Sequence, residues 1–218
     1  MKGENMNQRL RTDFIYNLHL LNVVKCEKDT LQMPIIKAIQ EYPDELIGFN
    51  YVKSNQDYFK GIHFYLDDYQ FDRVWNQPEK YLEMIRKFYF AFTPDFSLYK
   101  DMPKPLQIYN VYRSRLLGAF WQERGINVIP TLSWSDEESF DFCFKGIEQG
   151  GVVTVSTVGI VRNAEAKKMW IQGMEHMIKC VRPKTILIYG KPIEFNYKDI
   201  EVIYYDNTNT KGDGRIGR

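Results

Sequence analysis

Seven short, nearly solid apolar runs punctuate this chain, at 46–50, 61–66, 88–93, 127–132, 152–156, 185–190 and 202–205. Most lack the strict apolar–polar alternation of a strand with one wet face. Strands buried on both faces read this way, as in parallel sheets covered by helices. The intervals between the runs carry helical periodicity. Across 164–181, Ala166, Met169, Trp170, Gly173, Met174, Met177, Ile178 and Val181 form one buried stripe, and Pro183 stops the helix. A second helix is expected over 105–123, with Pro105 in its first turn, Gly125 just past its end, and Tyr109, Tyr112, Leu116 and Phe120 as its stripe. Further helices are expected over 78–87 and 136–147.

Strand–helix alternation with right-handed crossovers predicts an α/β fold with a mainly parallel sheet. A full eight-fold barrel takes about 250 residues, and the chain has 218. The expected architecture is therefore a compact or incomplete TIM-barrel-like fold, or alternatively an open doubly wound sheet. No Gly-rich first turn marks a dinucleotide-binding sheet. Residues 1–205 read as a single α/β domain, and the polar, Gly-rich stretch 206–218 as a flexible tail.

Several function classes lose their support at once. The 29 basic and 28 acidic residues leave a net charge of +1, which argues against binding nucleic acid through bulk charge. Cys26, Cys143 and Cys180 are too far apart for a disulfide framework or a CxxC zinc site, so a reducing cytoplasm is the expected compartment. The polar first residues do not read as a signal peptide, and no apolar run approaches the ~20 residues a membrane helix needs. His19, His63 and His176 show no metal-ligand spacing; His63 reads as a core histidine and His176 as solvent-facing. The run from Gly212 to Gly217 matches GxGxxG, but no helix follows it to complete a phosphate site. P-loop and GxSxG motifs are absent from the sequence.

Polar groups recur just after the apolar runs. Asp67 and Asp68 follow the second, Asp95 the third, Trp134 and Asp136 the fourth, Ser156 closes the fifth, and Lys191 follows the sixth. In parallel α/β folds the carboxyl ends of the strands share one face, where ligand sites are built. Asp67, Asp68, Asp95 and Asp136 are therefore candidate catalytic carboxylates. Asp67, Asp95 and Asp136 are also candidate ligands for Mg²⁺ or Mn²⁺. Arg113, Trp134, Lys191 and Ser156 are candidate ligand-binding residues: Arg113 or Lys191 for a phosphate, Trp134 for a ring. A structural reading stands beside this one. Asp67 with Gln70, and Ser135 with Glu138, have capping-box spacing, and helices begin where strands end. Arg113 and Arg115 point about 200° apart on a helix; Arg113 is the expected partly buried one, with a carboxylate salt bridge as its structural role.

The phrases GIHFYLDDYQFDRVW, FTPDFSLY, YRSR, FWQERGINVIPTLSWSDEESFDFCF, VSTVGI and YGKP resemble a family of unknown function, domain of unknown function forty-four seventeen. The resemblance covers about 46–191. It implies a protein of bacteriophages, plasmids or bacterial chromosomes, acting in the host cytoplasm, and it carries over no catalytic residue. Together these readings lead to a divalent-metal-assisted hydrolase of a phosphate ester, nucleotide or nucleic acid. The alternative is a non-catalytic phage accessory protein that binds a host protein or sequesters a nucleotide.

Overall fold

The computed structural model describes residues 12–206 and the backbone of 213–216. The seven apolar runs become seven strands: β1 (Glu45–Gly48), β2 (Gly61–His63), β3 (Phe90–Phe92), β4 (Asn127–Ile129), β5 (Val152–Ser156), β6 (Thr185–Tyr189) and β7 (Glu201–Tyr205). An eighth, β8 (Asp213–Ile216), joins them, and the strand order is β4-β3-β2-β1-β8-β7-β6-β5. Strands β1 to β4 pair in parallel, as do β5 to β7, while β8 runs antiparallel to both β1 and β7. The fold is α/β with a mainly parallel sheet, as expected. Strand β8 corrects the reading of 206–218 as a tail. Most of that stretch lies outside the described residues, but 213–216 stands between the two parallel sets. The GxGxxG match supplies a strand, not a phosphate loop.

Helices lie between the strands: α1 (Arg73–Asn76), α2 (Pro78–Ile85), α3 (Lys104–Gln122), α4 (Phe140–Cys143) and α5 (Ala164–Val181). Prolines open α2 and α3 where their missing N–H costs nothing. Asn163 caps α5 by accepting the N–H groups of Glu165 and Ala166. The helix expected over 136–147 is instead a 3-10 turn, Glu137–Ser139, followed by the four residues of α4. The physical reason lies in Arg115. Its guanidinium takes the carbonyls of Cys143 and Lys145, which a continuing helix would need for its own ladder.

Three apolar clusters fill the fold. One packs β1–β4 against α1, α2 and α3; a second packs β5 and β6 against α4 and α5. The third draws Leu46, Phe92, Ile129, Val152, Leu187 and Tyr205 from six different strands into one interior. Only a sheet curled around itself can bring those side chains together. Its two ends meet where Leu132 N–H donates to the Thr154 carbonyl (2.9 Å) and Thr154 N–H to the Pro130 carbonyl (3.0 Å). This seam is one bridge, Thr131 to Thr154, rather than a ladder, so the architecture is barrel-like but incomplete. Buried His63 stands at the end of β2, its ring centroid 4.6 Å from that of Tyr189 in a tilted contact, and its Nδ1 accepts from Tyr65 N–H.

Candidate functional site

A cavity of about 740 Å³ opens at the carboxyl ends of β2, β3, β4 and β5, on the face where the sequence places a site. Four loops and the first turns of α5 form its wall. Among the expected residues, Asp67, Asp95, Trp134 and Ser156 line it. Asp68, Arg113, Asp136 and Lys191 do not.

Asp95 stands two residues past Thr93, which is locked to the next strand: Thr131 N–H donates to Thr93 Oγ1 (2.9 Å) and Thr131 Oγ1 to the Thr93 carbonyl (2.7 Å). Desolvation pushes its carboxyl up to about 7, and the Asp68 charge adds to the shift. The Ser133 hydroxyl and the Arg115 charge oppose it without cancelling it. Behind Asp95 lies a void of about 10 Å³ shared with Asn110, Ser114, Arg115 and Thr131, room for one water. Tyr65 lies close enough for the Asp95 charge to raise its phenol further, after burial has already moved it well above its ordinary value.

Asp67 begins the 3-10 turn Asp68–Gln70, yet its side chain makes no capping bond. The capping box expected there is not formed, and the carboxylate faces the cavity instead. Asp136 is the reverse case. Its side chain accepts from Ser139 N–H while Ser139 Oγ bonds back, so the capping box sits one residue later than the expected Ser135–Glu138 pair. Burial would raise the Asp136 pKa, but the Lys104 ammonium at 2.5 Å and the Ser139 N–H outweigh it and hold the carboxyl below its usual range. The expected metal set of Asp67, Asp95 and Asp136 is thus not brought together. Among the described residues, no group of three or more His, Cys, Asp or Glu is placed to hold a metal ion.

The remaining expected residues build the walls. Asp68 accepts from Ser97 N–H and Ser97 Oγ (2.7 Å for the hydroxyl), tying the β2 and β3 loops together. Asn110 donates to the Ser97 carbonyl, and Arg113 donates to Asn110 Oδ1 (2.6 Å) and Asp72 Oδ1 (3.0 Å) while lying 3.8 Å over the Phe96 ring. Arg113 is therefore a structural clamp with the carboxylate bridge expected of it. The more deeply buried arginine is Arg115, at 2% exposure, not Arg113. Lys191 is exposed and offers only its backbone carbonyl, to Thr157 Oγ1.

Trp134 lies flat against α5 at Gly173, with its Nε1–H on the Met169 carbonyl. Trp170 Nε1–H in turn reaches the Ser156 carbonyl. At the mouth, Lys100 and Glu165 bridge two rim segments at 3.0 Å, both side chains exposed. Sequence reasoning passes over Tyr65, Ser133 and Trp170. The first two lie within four residues of a strand's carboxyl end, the one signal that could have flagged them; Trp170 was read as part of the core stripe.

A family model for a domain of unknown function, DUF4417, matches residues 26–206. The chain belongs to this family. It is 35% identical over 198 residues to the Gene 1 protein of Mycobacterium phage L5, covering 86% of each chain. It is 42% identical over 164 residues to the Gene 1 protein of Mycobacterium phage D29, covering 73% of this chain and 60% of that protein. No solved structure matches it. Among the described residues no helix is long and apolar enough to cross a membrane.

Proposed function

We propose that the DUF4417 chain binds a small organic molecule in the strand-end cavity and that Asp95 exchanges a proton with it near neutral pH. The observation that supports this reading is the Asp95 carboxyl in the cavity wall, held up to about 7 by desolvation and the neighbouring Asp68 charge. A group poised there gives and takes protons at neutral pH, which is the requirement for general acid–base catalysis. Ser133 and Tyr65 lie beside it. Trp134, Trp170 and the apolar residues of the wall give a ring or hydrocarbon skeleton a dry surface. Metal-assisted hydrolysis of a phosphate ester would need Asp136 beside Asp67 and Asp95, and Asp136 serves Lys104 and a helix start instead.

The test has two parts. Carboxyl ¹³C spectra should show one aspartate titrating near 7 that vanishes in Asp95→Asn. An Asp95 titrating near 4 removes the reading. With any compound found to turn over, the rate should fall on the order of 100-fold in Asp95→Asn with binding retained. Turnover indifferent to that change removes it too. A ligand that binds and is not turned over would favour the sequestering alternative.

A further inference from the structure

Several hydrogen-bond donors of the cavity wall are turned away from the cavity. Ser97 Oγ donates to Asp68 (2.7 Å), Ser135 Oγ to Gln107 Oε1 (2.6 Å) and Ser156 Oγ to the Tyr189 carbonyl (3.3 Å). Thr154 Oγ1 gives its proton to the Leu187 carbonyl (3.1 Å), so the 2.8 Å contact with Tyr65 is donated by the tyrosine. Both indole N–H groups, of Trp134 and Trp170, are spent on backbone carbonyls. A hydroxyl that has used its single proton offers only lone pairs. These groups present the cavity with acceptors, while Gln70, Tyr99 and Asn163 keep side-chain donors on its lining.

The charges agree with this. The cavity is lined by three acidic side chains, Asp67, Asp95 and Glu165, and one basic one, Lys100, which already holds Glu165 at 3.0 Å. A phosphate or carboxylate entering here would meet an excess of negative charge from these side chains, which opposes its loss of hydration. An ammonium group has the opposite needs. It brings several donors and no acceptor, and it is attracted both by carboxylates and by the faces of aromatic rings. Trp134, Trp170, Tyr65 and Tyr99 supply such rings around the same space.

From this pattern we infer that the ligand of the strand-end cavity carries a protonated amine on an apolar or aromatic skeleton, and is not a phosphate compound. Asp67 is its principal charge partner, and the spent hydroxyls of Ser97 and Ser135 accept its N–H groups. This rests on the cavity being the binding site, as proposed above, and replaces the phosphate-containing ligand with an amine.

Matched probes test it. Tyramine, N-acetyltyramine and 4-hydroxyphenylacetate share one ring and differ in charge; tryptamine, N-acetyltryptamine and indole-3-acetate form a second set. Full-length protein is titrated with each by calorimetry, with thermal shifts in parallel. The amines should bind at least about tenfold more tightly than their neutral partners, and the acids should bind most weakly, as close charge complementarity requires. Asp67→Asn should remove most of the preference for the amine while leaving the neutral partner's affinity in place. Equal affinities across a set, tighter binding of an acid, or an amine preference that survives Asp67→Asn each overturn the inference. The two readings fail separately. If the neutral members bind as well as the amines and their binding responds to Asp95→Asn, the cavity reading stands and the amine assignment falls. If none of the six binds, both fall.

Discussion

Asp95 is costly to the fold, and the direction of that cost is testable. Its carboxyl is raised to about 7 in the folded chain from an ordinary value of 3.8. Between those values the folded state holds a proton that the unfolded state has released. Stability therefore falls as pH rises through that window, and the full penalty is present above about 7. Asp95→Asn keeps the shape and removes the charge, so it should stabilise the protein at pH 8 by on the order of 1–3 kcal/mol and by roughly a third as much at pH 5. Urea unfolding of both proteins at the two pH values measures this. A variant that is less stable than wild type at pH 8 contradicts the burial assigned to the carboxyl. The same residue scale shows where sequence reading runs out. Asp67 and Asp136 look alike in sequence, an aspartate at the end of an apolar run with a helix to follow. One faces the cavity and the other caps. Lys104, 32 positions away in the chain, captures Asp136, and local spacing carries no trace of that.

Helix α5 is readable to the residue, because its single apolar stripe and the stop at Pro183 act locally; its Asn163 cap appears only in the structure. Helix α3 was not, although its ends were found. From Ser114 to Trp121 every one of its residues is buried, so the helix is enclosed on all sides and the assumption of one inward stripe fails. That is why Arg115, not Arg113, is the deeply buried cation. Strand β8 was invisible for a different reason. Its sequence, Asp213-Gly214-Arg215-Ile216, has no apolar run, and its place comes from neighbours on both edges. Gly173 belonged to the α5 stripe, but its stricter role appears only in three dimensions: a methyl there would overlap the Trp134 indole. Gly173→Ala should therefore destabilise by about 1–2 kcal/mol, the overpacking cost exceeding the ~1 kcal/mol gain in helix propensity. It should also shift tryptophan fluorescence as the indole leaves the Met169 carbonyl. In a Trp134→Leu background the same change should become neutral or stabilising. A loss of equal size in both backgrounds would detach Gly173 from Trp134.

At the scale of the molecule, Arg115 links the two halves of the fold to the site. Its guanidinium lies at 2% exposure and donates to the carbonyls of Thr131 past β4, Cys143 in α4 and Lys145 beyond it, at 3.1, 2.7 and 3.0 Å. Burial pulls its pKa down to about 10, so it stays charged at neutral pH. Arg115→Met fills a similar volume but strands three carbonyls. At roughly 1–3 kcal/mol for each unmet buried group, a loss of about 3 kcal/mol or more is expected. Lysine has a single ammonium in place of the planar fork and should recover less than half of it. The interior cluster is shared by strands from both parallel sets, so unfolding should remain one transition, with circular dichroism and tryptophan fluorescence coinciding. The decisive readout is at the site. The Arg115 charge is one of the forces holding the Asp95 carboxyl down, so in Arg115→Met its titration should move upward from about 7. Arg115→Lys, which keeps a positive charge in the same region, should move it less. An Asp95 midpoint that stays fixed while stability falls would mean that Arg115 holds the framework alone and that the cavity's proton chemistry is set entirely by desolvation and Asp68.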